Sequence, residues 1–581
     1  MSFLDVDSSL TGRRWIGPTA GIERQAAALV QSDHLPEALC RILARRGVGP
    51  GETAAFLEPR LQDLLPDPRS LLDMETVAAR FLRAVRQRER IAIFADYDVD
   101  GGSSAALLID WLRQMGRTAT LYVPDRIDEG YGPNVPAMQA LGAQHDLIIC
   151  VDCGTLSHGP VAAAPCDVVI LDHHLGSETL PECIGVVNPN RQDETGALAH
   201  LCAAAVVFLM LVEANRQMRD EGAKGPDLMA MLDLVALATV ADVAPLIGVN
   251  RALVRQGLRV MGRRERPGLT ALADCARMNT APAAYHLGFL LGPRVNAGGR
   301  IGQADLGARL LASDEPVEAR AMAERLDELN TERREIEAEV RAAAMVQAEE
   351  RGLDAPLVWA AGEGWHPGVV GIVASRLKEA TNRPAIVIGM DGDEGKGSGR
   401  SVTGVDLGAS IQKLAAEGLL IKGGGHKMAA GLTVARDKLE AAMARLSELL
   451  EKQGAGSAGP GDLKIDGLLM PGAATPELVD QLEAAGPYGA SAPAPRFAFA
   501  GQKISFAKRI GDTHLKISFN DGMGKRVEAI CFGAYDGPLG PALEQHGGRP
   551  FHLAGKLEIN DWGGRRNVQL RLEDAAPASD G

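Results

Sequence analysis

Between residues 90 and 174 the chain alternates short apolar runs with helical stretches, and three of those runs end in carboxylates. Arg90-Ile-Ala-Ile-Phe-Ala95 leads into Asp96, Asp98 and Asp100, Leu147-Ile-Ile-Cys-Val151 into Asp152, and Asp167-Val-Val-Ile-Leu171 into Asp172, His173 and His174. Short β-branched runs without polar alternation predict strands buried on both faces, as in a parallel sheet. A helix is predicted over 103–115 and another strand over 118–123, a rhythm that implies right-handed crossovers and a doubly wound sheet. Ligands of such sheets sit outside the carboxyl ends of the strands. Five acidic groups and two imidazoles therefore converge on one crevice.

Further along, 200–305 reads as mostly helical; 228–240 is nearly all apolar, hence a buried helix, with Asp242 just beyond it. A long helix over 316–351, with Ser313 as its cap, carries Leu326, Leu329, Ile336 and Val340 as a narrow apolar stripe. At ~1.5 Å per residue it spans about 50 Å, which suits a connector between two lobes. A second α/β pattern follows: strand 357–361, helix 369–380, strand 385–389. Segment 453–462, rich in Gly, Ser and Ala, is a linker. Beyond it, strand-like runs at 497–506, 513–519, 526–532, 550–559 and 567–572 predict a small β-barrel of the oligonucleotide-binding (OB) type. Residues 1–75 read as helical and loop-rich, broken at Pro50-Gly51 and Pro66-Asp-Pro68. The fold class expected is α/β: a doubly wound parallel-sheet domain, a connecting helix, a second α/β domain and a C-terminal β-barrel.

Composition narrows this picture only a little. A chain of 581 residues exceeds one hydrophobic core and implies two to four domains, and 46% hydrophobic with 23% charged residues is ordinary for a globular protein. No run approaches the ~18–20 apolar residues of a membrane span. The start, Met1-Ser-Phe-Leu-Asp-Val-Asp7, has no basic segment leading into an apolar one, so a cytoplasmic location is expected. Eight cysteines in this length do not make a disulfide scaffold, and Cys150 with Cys153 lacks the second pair of a zinc site. The net charge of −14, from 61 basic and 75 acidic residues, argues weakly against a nucleic-acid partner, but an acidic whole can carry a local basic groove.

The chemistry is that of a metal site. Asp96, Asp98 and Asp100 alternate, so extended backbone would aim all three to one side, with Gly101-Gly102 turning the chain into the next helix. Neither a Walker loop nor a Gly-x-Gly-x-x-Gly fingerprint is present, and the terminal Glu of a calcium-binding EF-hand is missing. Carboxylates crowded this closely need cations, and carboxylate mixed with imidazole suits manganese or another transition ion. In two-metal sites a carboxylate bridges the ions, a position that a mid-sheet residue such as Asp152 can take.

Phe94-Ala-Asp-Tyr-Asp-Val-Asp-Gly101, Val151-Asp-Cys-Gly154, Leu171-Asp-His-His174 and Ala238-Thr-Val-Ala-Asp-Val-Ala-Pro245 closely resemble the four motifs of the DHH phosphoesterase superfamily. Gly423-Gly-Gly-His-Lys-Met-Ala-Ala-Gly431 resembles the signature of its associated second domain. Leu291-Gly-Pro-Arg-Val-Asn-Ala-Gly-Gly-Arg300, the Trp365–Arg376 segment and the terminal β-module narrow the resemblance to the bacterial single-strand-specific exonucleases of that superfamily. The resemblance runs from about residue 50 to 575 and implies these domains: an N-terminal segment 1–75, a DHH catalytic domain 76–312, the connecting helix 313–352, a DHH-associated domain 353–452 and an OB-like nucleic-acid-binding domain 463–576.

It further implies a 5′-to-3′ exonuclease on single-stranded DNA, acting in repair and recombination with two Mn2+ (or Mg2+) ions. Asp98, Asp100, Asp152, His173 and Asp242 would hold the ions, with Asp152 as bridge. Asp96 and Asp172 would support them, and His174 would meet the scissile phosphate or the leaving oxygen. Arg294, Asn296 and Arg300 are spaced like a phosphate-gripping loop, with surface ion pairs as the plainer reading. Gly424, Gly425 and His426 would approach phosphate, and Arg376, Ser398 and Arg400 would form a second anion pocket at the 5′ end. Implied partners are a single-strand-binding protein and a helicase, with the chain itself a monomer.

In the barrel, Lys503, Lys508, Arg509, Lys516, Lys525, Arg526, Lys556, Arg565 and Arg566 supply positive charge. Phe499, Phe506, Phe519 and Trp562 are either stacking platforms or core, with core the plainer reading for all but Trp562. Two stretches depart from the family pattern, 486–495 and Leu201-Cys-Ala-Ala-Ala205, and neither is expected to touch a metal ligand. A phosphodiesterase for dinucleotides and a non-catalytic scaffold are the competing readings; the terminal β-module argues against the first and the intact motifs against the second.

Overall fold

The structure, a computed structural model, describes residues 2–126, 129–456, 461–520, 525–562 and 565–578. The chain forms two compact units. One comprises Leu61–Gly456 with Tyr488–Ala492; the other joins Met1–Arg60 to Ser457–Pro487 and Pro493–Gly581.

The first unit is built on a five-stranded parallel sheet in the order Ala119–Tyr122, Ile91–Ala95, Leu147–Val151, Asp167–Leu171, Gly185–Val187. The second, third and fourth of these are buried along nearly their whole length because helices cover both faces of the sheet. Strand order reverses between Ile91–Ala95 and Leu147–Val151, which opens a crevice at their carboxyl ends. Ala95 pairs with Val151, Val151 with Leu171, and Leu171 with Val187. The next residues, Asp96, Asp152, Asp172 and Asn188, therefore stand side by side along the sheet edge.

The helix after the first strand is Val99–Gln114, four residues earlier than predicted. Asp98 caps it, so Asp100 sits in its first turn rather than on extended backbone. Gly101 and Gly102 do not form the expected turn. A side chain at Gly101 would overlap the Asp96 carbonyl, and one at Gly102 would lie 3.4 Å from Ala308 Cα, so both glycines let the helix pack closely.

The connecting helix is Pro316–Arg351. Its cap is Glu315, not Ser313, which instead ends the preceding helix Leu306–Ala312. Leu326 and Leu329 pack with the catalytic core, whereas Val340 and Ala344 join Val369, Val373 and Leu377 of the second domain. One helix thus fastens both lobes of this unit.

The second domain has a five-stranded sheet, in the order Lys422–His426, Ala429–Ala435, Glu394–Arg400, Ala385–Asp391, Val358–Glu363. Glu394–Arg400 and Lys422–His426 carry no apolar pattern. Added Cβ atoms at Gly395, Gly397 and Gly399 would lie 2.5–2.8 Å from Met390, Ile388 and Leu407, so glycine is what lets this strand lie under its neighbours.

In the second unit, strands Phe497–Ile510, His514–Asn520, Arg526–Cys531, Pro550–Trp562 and Arg565–Pro577 close into a barrel through pairing of the first with the fourth. The N-terminal helices Ala20–Asp33 and Glu37–Arg45 share its core through Leu29, Leu39 and Leu43, and Trp15 donates its indole hydrogen to buried Asp574 at 2.9 Å. Phe499 and Phe519 are core, edge to face at 5.2 Å, and Phe506 is exposed. Lys503 and Lys508 are also exposed, whereas Lys516 and Lys556 pair with Glu528 and Glu573. The side chains of Trp562 and Arg565 and the adjoining Gly563-Gly564 lie outside the described residues, as does part of the linker.

Candidate metal centre

Asp98, Asp100, Asp152 and Asp242 each sit on an identifiable backbone feature. Asp98 accepts from the Asp100 and Gly101 amides at 2.8 and 3.1 Å. Buried Asp100 accepts from the Ala203 and Ala204 amides at 2.7 and 2.8 Å, at the free N-terminus of helix Ala203–Asp220. The 201–205 stretch therefore does touch a proposed ligand, contrary to expectation. The donors are backbone amides, so alanine in place of glycine preserves them. Asp152 adopts left-handed backbone (φ 59°), a strained geometry that aspartate tolerates and that turns its carboxylate back over the strand ends. Asp242 ends the buried helix Leu232–Ala241.

Asp172 organises the imidazoles. Its Oδ1 accepts from the His173 amide at 2.7 Å and from His174 Nδ1 at 2.8 Å, while Oδ2 accepts from the Thr155 amide at 3.1 Å. Burial opposes ionisation of Asp172, but these bonds hold its carboxyl well below the usual range. Burial likewise disfavours the His174 cation, and the Asp172 ion pair overcomes it, raising the imidazole to about 9. The other carboxyls are driven the opposite way. Burial and their mutual repulsion raise Asp96, Asp100 and Asp152, and push Asp242 up to about 8.

Two buried oxygens of the site, Asp96 Oδ1 and Asp152 Oδ1, have no hydrogen-bond partner among the described residues. Unpartnered buried carboxylate oxygens are costly unless a cation neutralises them. The donor atoms of Asp96, Asp98 and Asp152 lie within 4.8 Å of one another, as do those of Asp100, His173 and Asp242, and those of Asp152, His173 and His174. The first two sets share no residue, and Asp152 Oδ1 lies 3.3 Å from His173 Nε2 between them. The residues thus fit two adjacent divalent ions, with Asp96 offering a donor of its own rather than only orienting others.

The predicted anion-binding residues separate into groups. Residues 292–301 are a helix, not a loop, entered through a π-helical turn His286–Leu291. Asn296 Oδ1 accepts from the Val99 amide at 3.0 Å and so steadies the Asp98 turn. Arg294 is spent on Asp327 and the Leu290 carbonyl, the ion-pair alternative. Arg376 pairs with Glu379 at 3.0 Å. Arg300 donates to the Gly368 carbonyl at 3.0 Å, and Arg400 to Ser398 Oγ at 3.0 Å beside Gly371. Gly424, Gly425 and His426 lie on the edge strand of the second domain.

Arg126, Tyr131 and Asn188 were not signalled by any sequence pattern. Arg126 lies over the Tyr97 ring at 5.2 Å. Burial and the repulsion of Arg126 push Arg300 down to about 10 and lower Arg400 as well. Among the described residues none of these three arginines pairs with a carboxylate, which leaves a cationic pocket next to the acidic centre. Tyr131 donates to the Asp152 carbonyl at 3.1 Å and lies 3.2 Å from His174 Nε2. Asn188, fully buried, donates to Thr155 Oγ1 at 2.9 Å and to the His174 carbonyl at 2.8 Å, tying the Asp152 loop to the Asp172 loop. The only cue in the sequence was the prolines and glycines after strand ends that hold these residues in place.

Three family profiles match the chain: the DHH family N-terminal domain over residues 90–239, the DHHA1 domain over 354–452 and the RecJ OB domain over 465–574. The single-stranded-DNA-specific exonuclease RecJ of Dickeya dadantii is 38% identical over 95% of this chain and 98% of its own length. The crystal structure of RecJ from Thermus thermophilus in complex with Mn2+ superposes with a TM-score of 0.80 at 28% identity, covering 97% of this chain and 79% of that one. The same protein's complex with Mg2+ gives a TM-score of 0.73 at 27% identity, covering 97% and 78%.

Proposed function

The chain belongs to the RecJ family of single-stranded-DNA-specific exonucleases, and from that premise we propose how its own residues carry out the reaction. The enzyme hydrolyses phosphodiester bonds of single-stranded DNA and uses Mn2+ or Mg2+. Asp96, Asp98 and Asp152 would hold one ion and Asp100, His173 and Asp242 the other, with Asp152 between them. The observation that carries this reading is the pair of buried, unpartnered oxygens on Asp96 and Asp152 within two adjoining donor sets. When bound, the ions neutralise the phosphate and lower the pKa of water.

The protein supplies orientation and one proton. Asp172 holds His174 through Nδ1, leaving Nε2 to carry a proton toward the leaving oxygen. As water forms a new bond to phosphorus and releases one proton to solvent, the strand's P–O bond breaks, the departing alkoxide takes the Nε2 proton, and solvent returns a proton to His174. Tyr131 and Asn188 fix the imidazole from its open side and from its carbonyl. Arg300 and Arg400, with Ser398 and the newly placed Arg126, would receive a terminal 5′-phosphate, which sets the 5′-to-3′ polarity. Arg294 and Arg376 would act at the edges of that pocket, and Gly424, Gly425 and His426 along the strand's path. Lys503, Lys508 and Phe506 would hold the trailing strand on the barrel.

In this reading the enzyme would act in the cytoplasm as a monomer, in repair and recombination beside a single-strand-binding protein and a helicase. Among the described residues no helix is long and apolar enough to cross a membrane. A single strand labelled separately at each end, digested with manganese and with chelator, tests the reading. The expected result is nucleotide release from the 5′ end that stops on chelation. First release from the 3′ end, or release that survives chelation, would overturn it.

A further inference from the structure

Next to the acidic centre the protein displays an aromatic pair for which its own core has no use. Tyr285 and Phe289 are 58% and 72% exposed, yet their rings stack on each other at 5.2 Å with 24° between planes. His286 stands edge-on to Tyr285 at 5.9 Å. The two rings are four residues apart on the π-helical turn His286–Leu291 and its N-cap Tyr285, so one helical face presents both. Aromatic side chains this exposed are normally covered by a ligand or partner.

The position of the turn identifies the ligand. A methyl group at Gly288 would meet Val240 Cγ1 at 3.4 Å, and one at Gly292 would meet Ala241 Cβ at 3.2 Å and Val99 Cγ2 at 3.9 Å. The turn therefore packs on the two segments that carry Asp242 and Asp98. A polymer whose phosphate reaches the centre passes close to those two segments, and flat ring faces suit bases of any sequence.

We propose that Tyr285 and Phe289 form a base-stacking platform for single-stranded nucleic acid beside the scissile phosphate. It holds the strand in register by its bases, whereas the arginine pocket holds phosphate. The proposal rests on the exonuclease reading, and its test separates the two. Wild-type, Phe289→Ala, Phe289→Leu and Phe289→Trp full-length enzymes are assayed with manganese on a single-stranded oligonucleotide and on a 5′-phosphorylated dimer of abasic deoxyribose, a small ester with no aromatic ring to stack. Both Ala and Leu should lower kcat/KM on the oligonucleotide by roughly 5- to 100-fold. Trp should restore it, and hydrolysis of the small ester should stay within about twofold, since a lost stack leaves electrostatics at the centre intact.

A single abasic residue moved along the strand adds a second readout. In the wild type one position should cost the same factor, and in Phe289→Ala that position should cost nothing more. Unchanged oligonucleotide activity in Phe289→Ala, equal loss on both substrates, or an abasic penalty that persists in the variant would each overturn the platform. A wild type that releases no nucleotide from the strand would instead defeat the exonuclease reading.

Discussion

The two sheets of the larger unit both present functional side chains, but they position them by opposite means. In the catalytic sheet, branched apolar strands lie in register, and the residue after each strand falls at the edge: Asp96, Asp152, Asp172 and Asn188. The result is a buried, negatively charged site. In the second domain, Glu394–Arg400 places glycine at every other position so that Lys396, Ser398 and Arg400 occupy its opposite face. That strand contributes the Arg400 guanidinium, which pairs with no carboxylate among the described residues. Apolar pattern positions the anionic half of the site, and close packing at glycine positions the cationic half.

The sharpest break in this contrast is Asp152→Ala. It removes the member of one donor set that lies 3.3 Å from His173 of the other and should lower hydrolysis on the order of 10³-fold, while circular dichroism shows the fold retained. Asn188→Ala leaves every proposed ligand in place but unties the two loops. By analogy with groups that orient metal ligands it should cost roughly 10- to 100-fold in Mn2+-dependent rate. Rates measured at saturating Mn2+ would distinguish lost metal affinity, which recovers, from lost geometry, which does not. On the cationic side, Arg400→Ala should cost about tenfold on a 5′-phosphorylated strand, the worth of one charge-assisted hydrogen bond, and much less on a 5′-hydroxyl strand. Equal losses on the two strands would remove Arg400 from the end-recognition pocket. Smallest is Phe506→Ala on the barrel, expected to weaken single-strand affinity about fivefold, with the melting temperature unchanged because the ring is exposed.

The same contrast explains what could be read from the sequence. Asp96, Asp152, Asp172, His173 and His174 were legible because each follows a run whose burial pattern is unmistakable. Asp100 was expected on extended backbone, because nothing local reveals that Asp98 caps a helix. Arg126 and Tyr131 follow a strand end through a turn rich in Pro and Gly, where spacing carries no period, and Asn188 follows a strand of only three residues, Gly185–Val187, too short to show one. Glu394–Arg400 and Lys422–His426 were missed as strands because their glycines answer to neighbours distant in sequence. Phe499, Phe506 and Phe519 are chemically alike, and only the closure of the barrel decides which are buried. Likewise the Ala203 and Ala204 amides reach Asp100 from about 100 residues away, so the departure at 201–205 looked remote from the site.

The clustered carboxylates would hold two divalent cations on either side of Asp152. Electron paramagnetic resonance titration of the chelator-treated, full-length protein with Mn2+ tests this most directly, by counting bound ions and detecting their magnetic coupling. Two coupled ions per chain are expected in the wild type, with the coupling abolished in Asp152→Asn. A single ion in the wild type, or a coupled pair that persists in Asp152→Asn, would contradict the account.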